Sequence, residues 1–405
     1  MPDPLSIANL SRPELRRDPY PFYAKLRSED PVHFDAEAQT WVLTRYKDVM
    51  EVLHDRGTSR TQALERMFAR LPQDAQTRAT PIRDFFAQMQ IYADPPNHSR
   101  LRGLVSKAFT PKMVERLRPL VEQTAAELAT AAAAKGTFDL IEDFAYPMPL
   151  VIVTRMLGID VADQDRFHDW STKLMAVLGL TTSDPTVIDA AVKAIDEVTE
   201  YTGALADRAR KTPDGSLMSA LVAAADAGER LSARDLVTNT VMWMIAGHEP
   251  TMNMIANGAV VVKQHPQVLA ELRANPALYE TATTELIRYD GPVHMTTRVA
   301  TSDLTVGDKT IPAGSLVTLC LAAANRDPEA FANPDVLDFK RPELKEASFG
   351  AGIHYCLGAP LARIELPIAL ATLLRLPNLT LDIEALEWNE NPIVRGPKRL
   401  PVRVG

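Results

Sequence analysis

The sequence has few cysteines, no excess of basic residues and no long apolar run, and each shortage narrows the possible functions. Only Cys320 and Cys356 occur among 405 residues, whereas secreted proteins held by disulfides usually carry more cysteines at paired spacings. The net charge of −8 argues against a nucleic-acid-binding protein. No apolar stretch reaches the ~20 residues of a membrane helix, and the N-terminus shows no secretory signal. We therefore expect a soluble cytoplasmic protein without a nucleic-acid or membrane partner.

The hydrophobic patterns predict a mostly α protein with a smaller β-rich part. Helical spacing appears at residues 21–27 and, over many turns, at residues 111–262. Ser232-Ala233-Arg234-Asp235 fits a capping box at the start of a helix long enough to cross the whole domain. Further predicted elements are a strand, a hairpin connection and a late helix, at residues 40–44, 306–309 and 361–374, with short strands after them. No repeat or Gly/Ser-rich linker divides the chain, so a single domain over residues 1–405 is predicted.

The most informative segment is the run from Phe349 to Gly358, in which glycines frame a cysteine: Phe-Gly-Ala-Gly-Ile-His-Tyr-Cys-Leu-Gly. Glycine at this density is typical of tight turns or of another group approaching the backbone. A helix is predicted to begin near Pro360, just after Cys356. A thiolate at a helix N-terminus is stabilised by the helix dipole and by free N–H groups, which also tune a metal-bound sulfur. The alternative is a buried structural cysteine in a loop before a helix.

The run from Phe349 to Arg363 resembles the haem-binding signature of the cytochrome P450 family, and the resemblance covers essentially the whole chain. It implies the cytochrome P450 fold, with the long central helix over the haem, and Cys356 as the iron ligand. Haem b (iron protoporphyrin IX) is the implied cofactor. Phe349, Gly350 and Gly358 are implied to bind it together with the cysteine. The likeness is greatest to soluble bacterial members, many of which modify natural products.

An acidic residue and two arginines match a second family feature. Glu285 and Arg288 stand three residues apart and therefore face the same side of a helix. Such pairs are common on solvated helices and contribute little there. The family, however, completes this pair with an arginine that resembles Arg341. The resemblance implies that the three form a structural network rather than a catalytic group.

Four basic residues match a third feature. His98 and Arg102 stand four apart and share a helix face. In the family the matching residues bind the haem propionates, and Arg298 and His354 resemble two more propionate partners. Donor groups of this kind suit two buried carboxylates, which are otherwise costly to desolvate. Taken singly, each of the four would be interpreted as a scattered basic residue of the surface, but this does not explain all four at the family spacings.

The long helix departs from the family pattern at Pro250. In most members an acid is followed directly by a threonine, and the pair helps to deliver protons during oxygen activation. Here Glu249 keeps the acid, proline replaces the alcohol, and Thr251 follows, so we assign these three to the catalytic group. Pro250 has no N–H and crowds the carbonyl of Ala246, so we expect a kink that costs about 3 kcal/mol. Either Thr251, water or a substrate hydroxyl takes over proton delivery, or weak protonation favours peroxide use or radical coupling.

By family position, the substrate pocket has mainly apolar walls, which suits a hydrophobic ligand with few polar anchors. The predicted lining residues are Phe85, Phe86, Met89, Ile91, Met242, Ile245, Ala246, Val293, His294, Met295, Ile393 and Val394. Core packing is the alternative role for each of them. His294 is the predicted polar contact, with a satisfied structural histidine as its alternative.

These features predict a haem-thiolate monooxygenase, a monomer that uses O2 to hydroxylate or epoxidise a hydrophobic natural-product intermediate. No flavin or nicotinamide domain is visible, so electrons are expected from ferredoxin and ferredoxin reductase. The predicted docking contacts are Arg100, Lys107, Lys112 and Arg363. A peroxygenase or an oxidative coupling enzyme is the alternative that Pro250 leaves open. From another class, the alternative is a haem-based binder or sensor without turnover, against which the retained Glu249 and the lack of a fused output domain argue.

Overall fold

The computed structural model describes residues 3–178, 183–227, 232–341 and 345–405. The chain forms two compact units, each assembled from segments that are separated in sequence. The first unit consists of Met1–Thr58, Arg118–Pro149 and Glu249–Gly405, and the second consists of Ser59–Leu117 and Leu150–His248. The single domain over the whole chain stays a prediction.

Helices make up most of the described chain, which confirms the predicted fold class. The α-helices are α1 (Pro13–Arg17), α2 (Tyr20–Glu29), α3 (Tyr46–His54), α4 (Thr61–Phe68), α5 (Gln73–Arg78), α6 (Thr80–Phe86), α7 (Asn97–Ala108), α8 (Pro111–Glu115), α9 (Arg118–Ala134), α10 (Pro147–Leu157), α11 (Gln164–Leu178), α12 (Pro185–Lys211), α13 (Leu217–Asp226), α14 (Ala233–Gln264), α15 (Pro266–Ala274), α16 (Tyr279–Asp290), α17 (Leu321–Ala324) and α18 (Ala359–Leu374). Among the described residues, no helix combines the length and the apolar character needed to cross a membrane.

The strands are short and lie mainly in the first unit. They are β1 (Val32–Asp35), β2 (Thr40–Leu43), β3 (Thr58–Ser59), β4 (Thr137–Asp139), β5 (Met295–Ala300), β6 (Leu304–Val306), β7 (Lys309–Ile311), β8 (Leu316–Cys320), β9 (Thr380–Leu381), β10 (Glu387–Trp388), β11 (Pro397–Arg399) and β12 (Pro401–Arg403). Single-turn 3-10 helices lie at Ile7–Ser11, Gln90–Tyr92, Val161–Asp163, Pro276–Leu278 and Gly352–His354, and a π-helix lies at Ile141–Ala145.

The main sheet has the strand order β1-β2-β8-β5-β3 and is buried on both faces. Successive side chains of a strand point to opposite faces, so neighbours in sequence join different cores. Leu43 and Leu319 pack with residues of α3 on one face. Val42 and Cys320 pack with residues of α2 on the other. The sheet therefore gives β5 a rigid base, and β5 carries the predicted haem contact Arg298.

In the second unit, α11 and α12 pack through an aromatic cluster. The Phe167 ring meets the rings of Trp170 and Tyr201 edge-on, each at 4.9 Å between centroids. The Trp170 indole N–H donates to the Glu197 carboxylate at 2.7 Å. Edge-to-face pairs of this kind add stabilisation beyond the apolar area that they bury.

The start of the long helix α14 confirms the predicted capping box. The Ser232 hydroxyl accepts the Asp235 N–H at 3.0 Å, and the Asp235 carboxylate accepts the Ser232 N–H at 2.9 Å. The two side chains thus satisfy two N–H groups that the helix end leaves unpaired. The helix then continues through Pro250 for 32 residues, or about 48 Å.

Most local predictions agree with the structure, and one does not. Helix 21–27 corresponds to α2, strand 40–44 to β2 and helix 361–374 to α18. The predicted hairpin joins β6 to β7, and Gly307 has the positive φ of +61° that such a turn requires. The predicted helical run at residues 111–262 is wrong at β4, which pairs antiparallel with β12 near the C-terminus. Local periodicity cannot reveal so distant a partner.

Candidate functional site

The glycine-rich segment forms a closed loop that returns to its starting point just before α18. The Cys356 N–H donates to the Phe349 carbonyl at 2.9 Å. Gly350 and Gly352 have φ values of +68° and +65°, which side chains rarely tolerate. A Cβ on Gly352 would also lie 2.4 Å from the Leu53 carbonyl oxygen. The glycine at position 352 is therefore required by the backbone angle and by the space around it.

The two cysteines have different surroundings, and no disulfide joins them. Cys320 is completely buried under the sheet, and burial raises the pKa of its thiol to about 12. Cys356 is half-buried, and α18 begins three residues later. A Cβ on Gly358 would stand 3.9 Å from the Cys356 sulfur. Cys356 is thus the half-buried cysteine, and it is placed at a helix N-terminus, where a thiolate is favoured.

The four predicted propionate partners lie on ordered elements of both units. In the first unit, Arg298 is buried on β5, and its guanidinium donates to the Thr297 carbonyl at 2.8 Å. His354 lies half-buried in the 3-10 turn Gly352–His354 of the glycine-rich loop. In the second unit, His98 and Arg102 lie four residues apart on α7, with His98 buried. Each carries the donor groups that a carboxylate needs.

An acidic residue not assigned from the sequence fixes the start of α7. The Asp94 carboxylate accepts the Arg60 N–H at 2.8 Å and the Ser59 hydroxyl, while the Asp94 carbonyl accepts the His98 N–H at 2.9 Å. Asp94 thereby ties the residues before α4 to the turn that carries His98. The sequence feature that could have indicated this role is the position of Asp94 at the start of the Asp-Pro-Pro-Asn-His run. Its partners, Ser59 and Arg60, lie too far away in sequence to be predicted.

Glu285, Arg288 and Arg341 come together in a buried network. Arg288 donates to the two Glu285 carboxylate oxygens at 2.6 and 2.8 Å, and Arg341 approaches the same carboxylate at 3.3 Å. Arg288 also donates to the carbonyls of Asn325 and Pro334, each at 2.8 Å. The network thus joins α16 to the loop segments after α17, which lead towards the cysteine.

The middle of α14 carries the acid and the alcohol that flank Pro250. Glu249 is half-buried, and burial raises the pKa of its carboxyl above the ordinary value. Thr251 is buried. A raised pKa favours the protonated carboxyl, the form that can donate a proton.

The predicted pocket residues differ in how far they are buried. In the second unit Phe85, Phe86, Met89, Met242 and Ile245 are buried, Ala246 is exposed, and Ile91 is 40% exposed. In the first unit Val293, Ile393 and Val394 are half-buried and lie together, since Val293 and Val394 form an isolated bridge.

His294 and Met295 lie in the core instead. Met295 packs with Tyr23 and Cys320 under the sheet. His294 Nδ1 is 2.9 Å from the Tyr23 hydroxyl, and burial lowers the pKa of this histidine to about 3. The imidazole is thus bonded through one nitrogen, whereas the buried Nε2 has no hydrogen-bond partner among the described residues. The pocket role of these two residues stays a prediction.

Comparison with known proteins identifies the family. The family profile described as Cytochrome P450 matches residues 32–401. The chain belongs to the cytochrome P450 family. It is 38% identical to Cytochrome P450 CYP107DY1 of Priestia megaterium, over 98% of this chain and 99% of that protein. It is 37% identical to Vitamin D(3) 25-hydroxylase of Pseudonocardia autotrophica, over 96% and 94% of the two proteins. The crystal structure of CalO2 superposes with a TM-score of 0.90 at 32% identity and 98% coverage of each chain.

Membership makes this P450 a haem-dependent monooxygenase, and its residues fit that cofactor. A half-buried cysteine just before α18 suits an iron ligand, and the four predicted donor residues are of the kind that bind carboxylates. The predicted haem identity is therefore confirmed at the level of the family.

Two of the predicted ferredoxin contacts are engaged within the P450 itself. Arg100 forms a two-pronged ion pair with Asp235, both contacts at 3.0 Å. Arg363 pairs with Glu346 at 2.8 Å. Lys107 and Lys112 are exposed on α7 and α8. The arginines have internal roles that a docking surface alone would not require.

Proposed function

We propose that this P450 inserts one oxygen atom of O2 into a hydrophobic small molecule, by hydroxylation or epoxidation, with Cys356 as the thiolate ligand of the haem. The half-buried position of Cys356 just before α18 carries the assignment, because Cys320 is fully buried and burial raises the pKa of its thiol to about 12. A bound haem supplies oxygen activation, and thiolate ligation promotes cleavage of the O–O bond. Phe349, Gly350 and Gly358 would frame the sulfur and leave space beside it.

The buried donors support the same proposal. His98, Arg102, Arg298 and His354 would hold the propionates through charge-assisted hydrogen bonds. The burial of His98 and Arg298 restricts their rotamers, so little entropy is lost when an anion binds. Removing one donor would weaken haem retention without changing the identity of the iron ligand.

Proton delivery is assigned to Glu249, with Thr251 as its neighbour on α14. Burial raises the pKa of the Glu249 carboxyl and so favours its protonated form, which can pass a proton to water or to a hydroxyl. Pro250 supplies no N–H, so one backbone donor is missing from this turn of the helix. The carbonyl of Ala246, four residues before Pro250, receives no hydrogen bond from the proline. It can orient a water molecule or a substrate hydroxyl beside Glu249.

The class of substrate and the electron donor are inferred from chemistry and from relatives. The predicted lining is apolar in both units, which favours a hydrophobic ligand. The related Vitamin D(3) 25-hydroxylase is named for such a molecule. A natural-product intermediate is the substrate class that we propose. Ferredoxin and ferredoxin reductase would supply electrons, with Lys107 and Lys112 as candidate contacts for an acidic ferredoxin.

The test compares Cys356→Ser with Cys320→Ala, so that each cysteine is removed in turn. The reduced carbon-monoxide complex of a thiolate-bound haem has a characteristic red-shifted Soret band. We expect this band to disappear in the Cys356 variant and to persist in the Cys320 variant. A red-shifted band in Cys356→Ser would overturn the ligand assignment. Oxygen-dependent conversion of hydrophobic candidates with a ferredoxin system then tests the reaction.

A further inference from the structure

Arg363 is the side chain that contacts both ends of the glycine-rich loop. It lies in the second turn of α18, seven residues after Cys356. Its guanidinium donates to the Glu346 carboxylate at 2.8 Å and to the Tyr355 hydroxyl at 3.1 Å. The same group lies 4.9 Å from the centre of the Phe349 ring. One side chain thus contacts a residue three positions before the loop, the first residue of the loop and the residue directly before the cysteine.

These contacts matter because they join the loop to α18. Gly350 and Gly352 have positive φ, and glycine has more freedom to lose on folding than any other residue. The hydrogen bond from the Cys356 N–H to the Phe349 carbonyl closes the loop on itself but does not fix it to the helix. Arg363 supplies the attachment to α18, the helix whose N-terminus faces the sulfur.

The partners of Arg363 are well suited to orient it. The Glu346 side chain is only 4% exposed, whereas Arg363 is 42% exposed, so the carboxylate forms the inner end of the ion pair. A buried carboxylate requires a cation and hydrogen bonds if it is to stay charged. The planar guanidinium can stack on a ring while its N–H groups reach two different acceptors, which a lysine cannot do.

We propose that Arg363 is a positioning residue for the Cys356 sulfur: it fixes the loop from Phe349 to Tyr355 onto α18 and so sets the geometry of thiolate ligation. The proposal rests on the assignment of Cys356 as the haem ligand. It gives Arg363 a role inside the protein, in contrast to the docking contact predicted from the sequence.

The test uses the haem-loaded enzyme and three variants of the contact. Arg363→Ala removes all three contacts. Arg363→Lys keeps the positive charge but loses the planar guanidinium and its several N–H donors, and Tyr355→Phe removes one hydrogen bond. Arg375→Ala is the matched control, since Arg375 is an exposed arginine at the other end of α18. Three quantities are measured without a redox partner: the Soret band of the reduced carbon-monoxide complex, the haem reduction potential and the rate of haem transfer to apomyoglobin.

We expect Arg363→Ala to lose part of the red-shifted band, to change the reduction potential and to transfer haem severalfold faster. Arg363→Lys and Tyr355→Phe should show the same changes to a smaller degree, and Arg375→Ala none. If Arg363→Ala yields no haem protein, the two milder variants decide. Wild-type spectra, potential and transfer rate in the Arg363 variants, with only weaker ferredoxin binding, would overturn the proposal. A red-shifted band in Cys356→Ser would instead refute the ligand assignment itself.

Discussion

The buried ion pair of Glu285 gives a prediction whose size follows from its surroundings. Its carboxylate receives Arg288 at 2.6 and 2.8 Å and the Asp338 N–H at 3.0 Å, and both charged side chains are fully buried. Glu285→Gln keeps the shape but leaves the Arg288 charge buried without its counter-charge. Breaking a buried pair in this way costs about 3–5 kcal/mol. We expect a loss of that order in the free energy of unfolding.

The assay is urea unfolding of the haem-loaded protein, followed by far-ultraviolet circular dichroism. Asp207→Asn is the matched control, because Asp207 and Arg210 have the same spacing at 3.1 Å but lie on the surface of α12. An exposed pair contributes about 0–1 kcal/mol, so this variant should unfold close to the wild type. If the two variants shift the midpoint equally, burial does not set the strength of the Glu285 network and the reasoning is wrong.

Two further changes test Glu365, a buried residue of α18, and Gly352 in the glycine-rich loop. Burial raises the pKa of Glu365 well above its usual value, so folding takes up a proton there. Below the pKa of an unfolded glutamate, protonated Glu365 does not lower the free energy of unfolding. Above that pKa the free energy of unfolding falls by up to about 1.4 kcal/mol per pH unit, until the pH reaches the pKa of the folded state. Glu365→Gln should remove this slope in pH-dependent urea unfolding, and the exposed control Glu384→Gln should keep it. Gly352→Ala should lower stability by about 1–3 kcal/mol, because its Cβ would meet the Leu53 carbonyl at positive φ. Gly203→Ala is the control and should not lower stability, because no heavy atom lies within 4 Å of the added Cβ. Equal unfolding midpoints for the two variants would contradict the steric argument.

The parts of the fold that local chemistry determines were predictable from the sequence. The capping box at Ser232 and Asp235 needs only two side chains three residues apart, and both bonds are present. The turn at Gly307 needs one residue with positive φ between two short strands. The cysteine loop was recognisable for the same reason, since its glycines and Cys356 lie within ten residues.

What failed or was missed depends on partners that lie far apart along the chain. β4 is a strand because β12 pairs with it, and no local pattern announces that pairing. The contact between Tyr23 and the Nδ1 of His294 was also missed, because the two residues belong to distant segments, and the pocket role of His294 stays a prediction. Asp94 received no role from the sequence, because Ser59 and Arg60, its partners, belong to an earlier segment.

Two arginines, Arg288 and Arg363, each bind several acceptors around the glycine-rich loop and the elements before it. A glycine-rich loop and a helix terminus expose several carbonyls and carboxylates at once, and a single guanidinium can satisfy more than one of them. Arg288 bonds a carboxylate and two carbonyls, and Arg363 bonds a carboxylate and a phenol while stacking on a ring. Lysine would keep each charge but lose this geometry. Arg288 and Arg363 therefore act through the shape of the cation as much as through its charge.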